Sequence, residues 1–343
     1  MIYSFNNDYS ESACPKVLQS YALLNKKQFD GYGLDEISFE VQDTFKKLLG
    51  RNDVDIHFMT GGTITNLTFL AASLKPYECV IAPSSAHINV HETGAIEATG
   101  HKIYTCPSKD GKIRPQDIEN CVLYHCDEHM VKPKIVFISN STEVGTVYSK
   151  QELEDLKKMC EKHNLYLYLD GARLSNALVY KKANLTLKDC ANLTDAFYFG
   201  GTKNGALFGE MLVIINPKLK ENFRYMIKQR GGLLAKGFAT SIQFKALLED
   251  DLYLKNATKA NKRAQEIKRG LQKLGYKFAF NSPTNQIFPI FPDALISKLQ
   301  KDFLFMVMQE YPNNCHSVRL VCSWSAPKDA VNQFLEYVSK YSK

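Results

Sequence analysis

KIVFISN (134–140), SKQELEDLKKMCEKHN (149–164) and LYLYLDGAR (165–173) together decide the architecture. The first and third begin as short, continuous apolar runs, the pattern of strands buried on both faces of a sheet. Between them Ser149 stands three residues before Glu152, a capping box that predicts a helix start. Strand, helix, strand is the crossover unit of a parallel sheet. CVIAP (79–83), KIYTC (102–106), AFYFGG (196–201) and MLVIIN (211–216) are runs of the same kind, so the alternating pattern extends from about position 30 to 216. DEISFEVQDTFKKLLG (35–50) places Ile37, Val41, Phe45, Leu48 and Leu49 at helical spacing and ends on Gly50, a left-handed cap.

After Asn216 the pattern changes. Longer helices are expected around 240–254, 256–274, 293–310 and 327–341, with few strands: KFAFN (277–281), QIFPIF (286–291) and SVRLVCS (317–323). FLFMVMQE (303–310) reads as the core face of the third helix. The expected fold is α/β, a large domain with a mostly parallel sheet followed by a smaller C-terminal α+β domain. The change of pattern lies near 240–255, giving an N-terminal arm at 1–15, a large domain at 16–245 and a small one at 246–343.

At 343 residues, 45% apolar and 23% charged, the composition is that of an ordinary globular protein, and no apolar run approaches a membrane span. The net charge of +7 is interleaved with acidic residues, as in LKKMCEK (156–162) and ANKRAQEIKRG (260–270). That argues for a solvated surface and against nucleic-acid binding. The first residues lack a basic flank before an apolar core, so the expected location is cytoplasmic, with the nine cysteines reduced.

Ligands of open α/β sheets gather beyond the carboxyl ends of the strands. Three such ends carry chemistry. LYLYLD ends in Asp170, with Arg173 just beyond; AFYFGG is followed by Thr202 and Lys203; FMTGGTITNL (58–67) enters a helix through Gly61, Gly62 and Thr63. Each alone has a bland reading as a flexible helix entry, a turn cap or a surface lysine. Together they supply what pyridoxal phosphate needs: amides for its phosphate, a carboxylate for its ring nitrogen and an amine for its aldehyde.

With AHINVHETGAIEATGHKI (86–103), YLDGARLSNALV (168–179), GGTKNGALFGEMLV (200–213), QRGGLLAKG (229–237) and SVRLVCSWS (317–325) in order, nearly the whole chain resembles the low-specificity L-threonine aldolases. These belong to the β-eliminating lyase group, with the type I pyridoxal-phosphate-dependent transferase fold of aspartate aminotransferase. The resemblance implies that Lys203 carries the cofactor covalently, that Asp170 pairs with its ring nitrogen and that His87 stacks on the ring. Gly61, Gly62, Thr63 and Thr202 would hold the cofactor. Arg173, also beside the cofactor, and Arg319 would grip the substrate carboxylate, a task suited to the guanidinium fork. Tyr32 matches a Tyr-Gly pair near the substrate pocket, and Lys236 a basic residue that reaches a neighbouring subunit's cofactor phosphate. The implied assembly is a homodimer or homotetramer with shared sites, acting on a small amino acid.

Two departures touch the substrate side. Glu143, in STEVG (141–145), stands where many of these aldolases carry a histidine, and Asn7, in FNNDYS (5–10), replaces an early serine. If Glu143 faces the substrate, burial near the pocket would raise its pKa and suit it to accept the β-hydroxyl proton; if it instead turns away and caps the turn in STEVGT (141–146), His87, a phosphate or water handles that proton. The implied activity is cleavage of L-threonine, L-allo-threonine or a related β-hydroxy-α-amino acid to glycine and an aldehyde. β-Elimination or racemisation on the same scaffold is an alternative, and a noncatalytic binding scaffold a second. Cys121, His125, Cys126 and His129 crowd one stretch, but their spacing matches no common zinc finger, and no metal is expected.

Overall fold

The apolar runs line up side by side in one large sheet. The computed structural model describes residues 3–342; Met1 and Ile2 of the expected arm and Lys343 of the expected small domain lie outside the described residues. The first eight strands are β1 (Tyr3–Ser4), β2 (Asp55–Met59), β3 (Glu78–Pro83), β4 (Lys102–Cys106), β5 (Lys132–Ser139), β6 (Tyr166–Asp170), β7 (Ala196–Gly200) and β8 (Glu210–Ile214). Seven of them form a sheet in the order β2-β8-β7-β6-β5-β3-β4. The β4, β3, β5, β6 and β7 pairings are all parallel. MLVIIN departs from the parallel expectation, because β8 runs antiparallel to both β7 and β2. The connection 201–209 is too short for the crossover of about a dozen residues that a parallel neighbour requires.

Alternate residues of these strands feed opposite faces, as a two-residue period dictates. Val136, Ile138, Leu167, Leu169, Phe197 and Phe199 pack in one core. Ile135, Phe137, Tyr168, Ala196 and Tyr198 pack in another on the reverse face. The expected caps are in place. Ser149 Oγ accepts from the Glu152 amide at 3.2 Å while Glu152 Oε2 accepts from the Ser149 amide at 2.8 Å. The helix Glu36–Leu49 ends on Gly50 at φ +68°.

Five strands complete the chain: β9 (Gln286–Ile287), β10 (Ile290–Pro292), β11 (Phe303–Leu304), β12 (Met306–Tyr311) and β13 (Cys315–Val321). β10, β13 and β12 make an antiparallel sheet, with β9 also paired to β13. Ala264, Ile267 and Leu271 of the long helix Leu252–Lys273 pack in its core with Phe291, Leu320 and Phe334. Tyr253 of the same helix belongs to the core of the large sheet. Phe5 joins the smaller core, and β1 pairs in parallel with β11.

Two elements differ from expectation. FLFMVMQE is not helical: the helix stops at Leu299, and the segment forms β11 and β12. Phe303 points inward, whereas Met306, Val307 and Met308 lie exposed on a strand that, among the described residues, pairs only with β13. A short apolar run does not by itself distinguish helix from strand. KFAFN makes a single bridge, Phe278 to Pro289, flanked by hydrogen bonds from the Ala279 amide to the Phe288 carbonyl at 2.8 Å and from the Ile290 amide to the Lys277 carbonyl at 2.9 Å. No helix among the described residues is long and apolar enough to cross a membrane.

Candidate active site

Because β8 is reversed, its first residue meets the last residues of its neighbours. Ser139 lies opposite Asp170, and Gly200 opposite Glu210. The helix Gly62–Ser73 starts at the same edge, immediately after β2. A cavity of about 290 Å³ opens there, lined by Gly61, Gly62, Thr63, Asp170, Tyr198 and Lys203, among others. First-turn amides of a helix have no intrahelical acceptor, so Gly62 and Thr63 offer donors to an anion.

Asp170 is buried and held at both oxygens. Oδ1 accepts from the Tyr198 hydroxyl at 2.6 Å and from the Ala172 amide at 3.0 Å; Oδ2 accepts from Asn66 Nδ2 at 3.2 Å. The same Asn66 Nδ2 donates to Glu92 Oε1 at 2.8 Å, and Glu92 Oε1 lies 2.7 Å from His87 Nδ1. Asp170, Asn66, Glu92 and His87 thus form one continuous network. Burial alone would lower the His87 pKa, but the Glu92, Glu143 and Asp170 carboxylates outweigh it and the net direction is upward. The glycine of DGAR is required by packing: a Cβ on Gly171 would sit 1.7 Å from the Tyr198 carbonyl oxygen.

Lys203 lies in the short turn after β7 and has no hydrogen bond or ion pair among the described residues. The turn is clamped by Glu210, whose Oε1 accepts from Thr202 Oγ1 and Oε2 from the Gly201 amide, each at 2.8 Å. Burial pushes the Glu210 carboxyl up to about 7. Gly205 closes the turn at φ +101°, where a side chain would be strained.

A second cavity of about 280 Å³ shares Tyr9, His87, Glu143 and Lys203 with the first and adds His91, Arg173, Met306 and Arg319. Arg173 does not present the free fork that was expected. Its Nε donates to Asp8 Oδ2 at 2.7 Å and its Nη2 to Asp8 Oδ1 at 3.0 Å, both side chains being buried. Arg319 is the less engaged guanidinium: Nη2 donates to the Asn6 carbonyl at 3.3 Å, and its buried Nε has no partner among the described residues. Glu143 faces the cavity but is not the raised carboxyl that was expected. Burial would raise it, yet the Arg173 and Lys203 cations, with His87 and His91, hold its pKa below the ordinary carboxylate range.

Three expected residues stand apart. Asn7 Oδ1 accepts from the Tyr9 amide and the Ser10 hydroxyl, closing a local turn. Tyr32 is 41% exposed and lines a separate small cavity with His57 and Arg224. Lys236 is exposed and lines neither site cavity. Near the zinc-like stretch, Cys121 Sγ lies 3.6 Å from His125 Nδ1, which is closer to the Cys121 carbonyl oxygen; no group of three metal-type ligands is found among the described residues.

Sequence reasoning missed Asp8, Asn66, Glu92, His91, Tyr198 and Glu210. Glu210 carried a visible signal, a charge opening the apolar run MLVII, and Tyr198 another, a hydroxyl inside a fully buried run.

The residues fit pyridoxal phosphate. An unpaired amine, a buried carboxylate braced at both oxygens and a helix N-terminus open into one cavity. Comparisons agree. The family model described as Beta-eliminating lyase matches residues 10–293. The chain is 32% identical over 336 residues to a low specificity L-threonine aldolase of Pseudomonas sp., covering 96% of this chain and 95% of that one. It is 46% identical to the Leishmania major threonine aldolase structure, at a TM-score of 0.97 and covering 98% of this chain and 99% of that one. Thermus thermophilus aspartate aminotransferase superposes at a TM-score of 0.74 with 15% identity, covering 99% of this chain and 91% of that one, which speaks to the fold alone.

Proposed function

The chain belongs to the β-eliminating lyase family, and from that premise we propose that it cleaves the Cα–Cβ bond of L-threonine, L-allo-threonine or a related β-hydroxy-α-amino acid, giving glycine and an aldehyde. It is a carbon–carbon lyase that uses pyridoxal phosphate. The observation that carries this reading is the unpaired Lys203 amine sharing one cavity with the braced carboxylate of Asp170.

Bound pyridoxal phosphate supplies the electron sink for bond cleavage. Lys203 holds it covalently, and the amides of Gly62 and Thr63 bind its phosphate, with Gly61 and Thr202 shaping the wall. Asp170 pairs with the ring nitrogen, a role supported by the donors from Tyr198, Ala172 and Asn66 that fix both of its oxygens. His87, fixed through Glu92, packs on the ring. Arg319, with its unpartnered Nε, takes the substrate carboxylate, and Arg173 supports it from the Asp8 pair. Holding the carboxylate fixes the substrate's orientation, and such orientation is worth several kcal/mol of barrier.

Assembly as a homodimer or homotetramer and a cytoplasmic location complete the proposal. That Tyr32 and Lys236 line neither of the two site cavities of their own chain supports a role for them in a neighbour's site. The test is release of glycine and aldehyde from threonine by purified protein, with borohydride reduction and peptide mapping of the cofactor. Label on a lysine other than Lys203, or keto acid as the product, would overturn the reading.

A further inference from the structure

The cavity that holds Lys203 continues outward into a second compartment, and the substrate must span both. Its amine has to meet Lys203, and its carboxylate is drawn to Arg319, which lines only the outer part. The β-carbon is bonded to the Cα held between those two anchors, so its hydroxyl can meet the wall of the outer compartment. That wall contains a histidine to which neither the cofactor machinery nor the family resemblance gives a role.

We propose that His91 takes the β-hydroxyl proton of the substrate and is the base of the carbon–carbon cleavage; this rests on the aldolase reading above. His91 is the residue that follows the short helix His87–Val90, and its amide donates to the His87 carbonyl at 2.9 Å. One helical turn apart, the two rings lie on the same face with centroids 5.5 Å from each other. His87 belongs to the ring-side network, and His91 extends the same face into the outer compartment. The His91 ring has no hydrogen-bond partner among the described residues, so its nitrogens remain free for a ligand.

The competing groups are poorly suited. His87 has one nitrogen committed to Glu92, and the surrounding carboxylates favour its protonated form. Glu143 is kept a weak base by Arg173 and Lys203. The groups facing His91 are Glu143 after β5, His87 on its own helix, Arg319 on β13 and Lys203 after β7, with Tyr9 and Arg173 in the same compartment. Burial, His87, Arg319 and Lys203 lower the His91 pKa and outweigh the Glu143 anion. A neutral imidazole with an available lone pair is the result near pH 7.

The step balances. An imidazole nitrogen binds the hydroxyl hydrogen, and the O–H pair becomes the second bond of the aldehyde carbonyl. The Cα–Cβ pair remains on Cα, where bound pyridoxal phosphate would stabilise it. A proton then returns to Cα, the imidazolium gives its own to water, and glycine leaves.

The test separates this step from everything that does not need a hydroxyl. In holoenzyme carrying His91→Phe or His91→Asn, threonine cleavage should fall about 100-fold, within the range for loss of a general base. Exchange of the glycine α-proton in heavy water and the visible spectral change on glycine binding should stay within about twofold. The acid limb of the kcat/KM profile should disappear. In cofactor-free protein, the imidazole signal lost in His91→Asn should titrate below the ordinary 6.5. Cleavage reduced less than about threefold, or cleavage and glycine exchange falling together, would overturn the proposal. A parent enzyme that exchanges glycine protons but releases no aldehyde from threonine overturns the aldolase reading itself, and His91's role with it.

Discussion

Asp8 and Arg173 are joined at two points, 165 positions apart in sequence, with Nε–Oδ2 at 2.7 Å and Nη2–Oδ1 at 3.0 Å. Asn285 Nδ2 also donates to Asp8 Oδ2 at 2.9 Å, so the arm, the DGAR loop and the segment before β9 meet at one carboxylate.

Removing one partner of a buried pair leaves the other uncompensated. Asp8→Ala is therefore expected to cost about 3 kcal/mol in denaturant unfolding and to raise the substrate KM as Arg173 loses its anchor. Burial alone would raise the Asp8 pKa, but the Arg173 and Lys203 cations reverse it and the net direction is downward. Its contribution is thus fully present above the ordinary carboxylate range and is lost as pH falls through the depressed value. An unfolding free energy with unchanged acid dependence in the variant would show that the pair is not a source of stability.

Tyr198→Phe removes one of the two donors to Asp170 Oδ1 and leaves the Ala172 amide. Hydrogen bonds to a charged group contribute about 1.5–3 kcal/mol, so turnover should drop roughly tenfold or more with the cofactor still bound. Asp170→Asn, which removes the charge itself, should lose most activity while folding normally. Near-parental turnover in Asp170→Asn would mean that the ring nitrogen has another partner.

Glu143→Gln should move the acid limb of kcat/KM toward lower pH. The Glu143 anion raises the pKa of both His87 and His91, so neutralising it lets both fall. An upward move, or loss of the limb altogether, would instead make Glu143 the titrating base.

The Glu210 carboxyl, pushed from 4.5 up to about 7 by burial, should make folding less favourable as pH rises across that window, because the native state there holds the proton that the unfolded chain releases. The expected loss between pH 4 and 8 is about 3 kcal/mol, and Glu210→Gln should flatten it. Equal slopes for parent and variant would rule this out.

Subunit mixing tests the shared site. Lys203→Ala chains combined with Lys236→Ala chains should recover activity if the two lysines serve one site from different subunits. Verified exchange without recovery would place Lys236 outside the chemistry.

The strand-end carboxylate, the lysine turn and the glycine helix entry were legible because each follows directly from a local pattern: an apolar run, then a polar residue at its carboxyl end. Asp8, Asn66 and Glu92 were not, because their meaning lies in partners that only the fold brings near. Asn66 sits inside a helix 104 positions from Asp170, and nothing local distinguishes it from a surface amide. Phe303–Glu310 misled for a related reason. Its identity as strand depends on Tyr3, distant in sequence, pairing with Phe303 and on the hairpin that β12 makes with β13 just beyond Tyr311. Glu143 lines both cavities, but its ionisation depends on how many cations converge on it.

The reversal of β8 also restricts how this turn can change in length. Gly200 faces Glu210 across an antiparallel register, and everything between is the turn that carries Lys203. A strand's side chains alternate in direction, so inserting or deleting a single residue in 201–209 that shifts the register by one would turn Glu210 to the opposite face, along with every side chain of β8. Loop grafting, which α/β scaffolds commonly tolerate at their strand ends, is closed to engineers at this turn unless the replacement restores the same register.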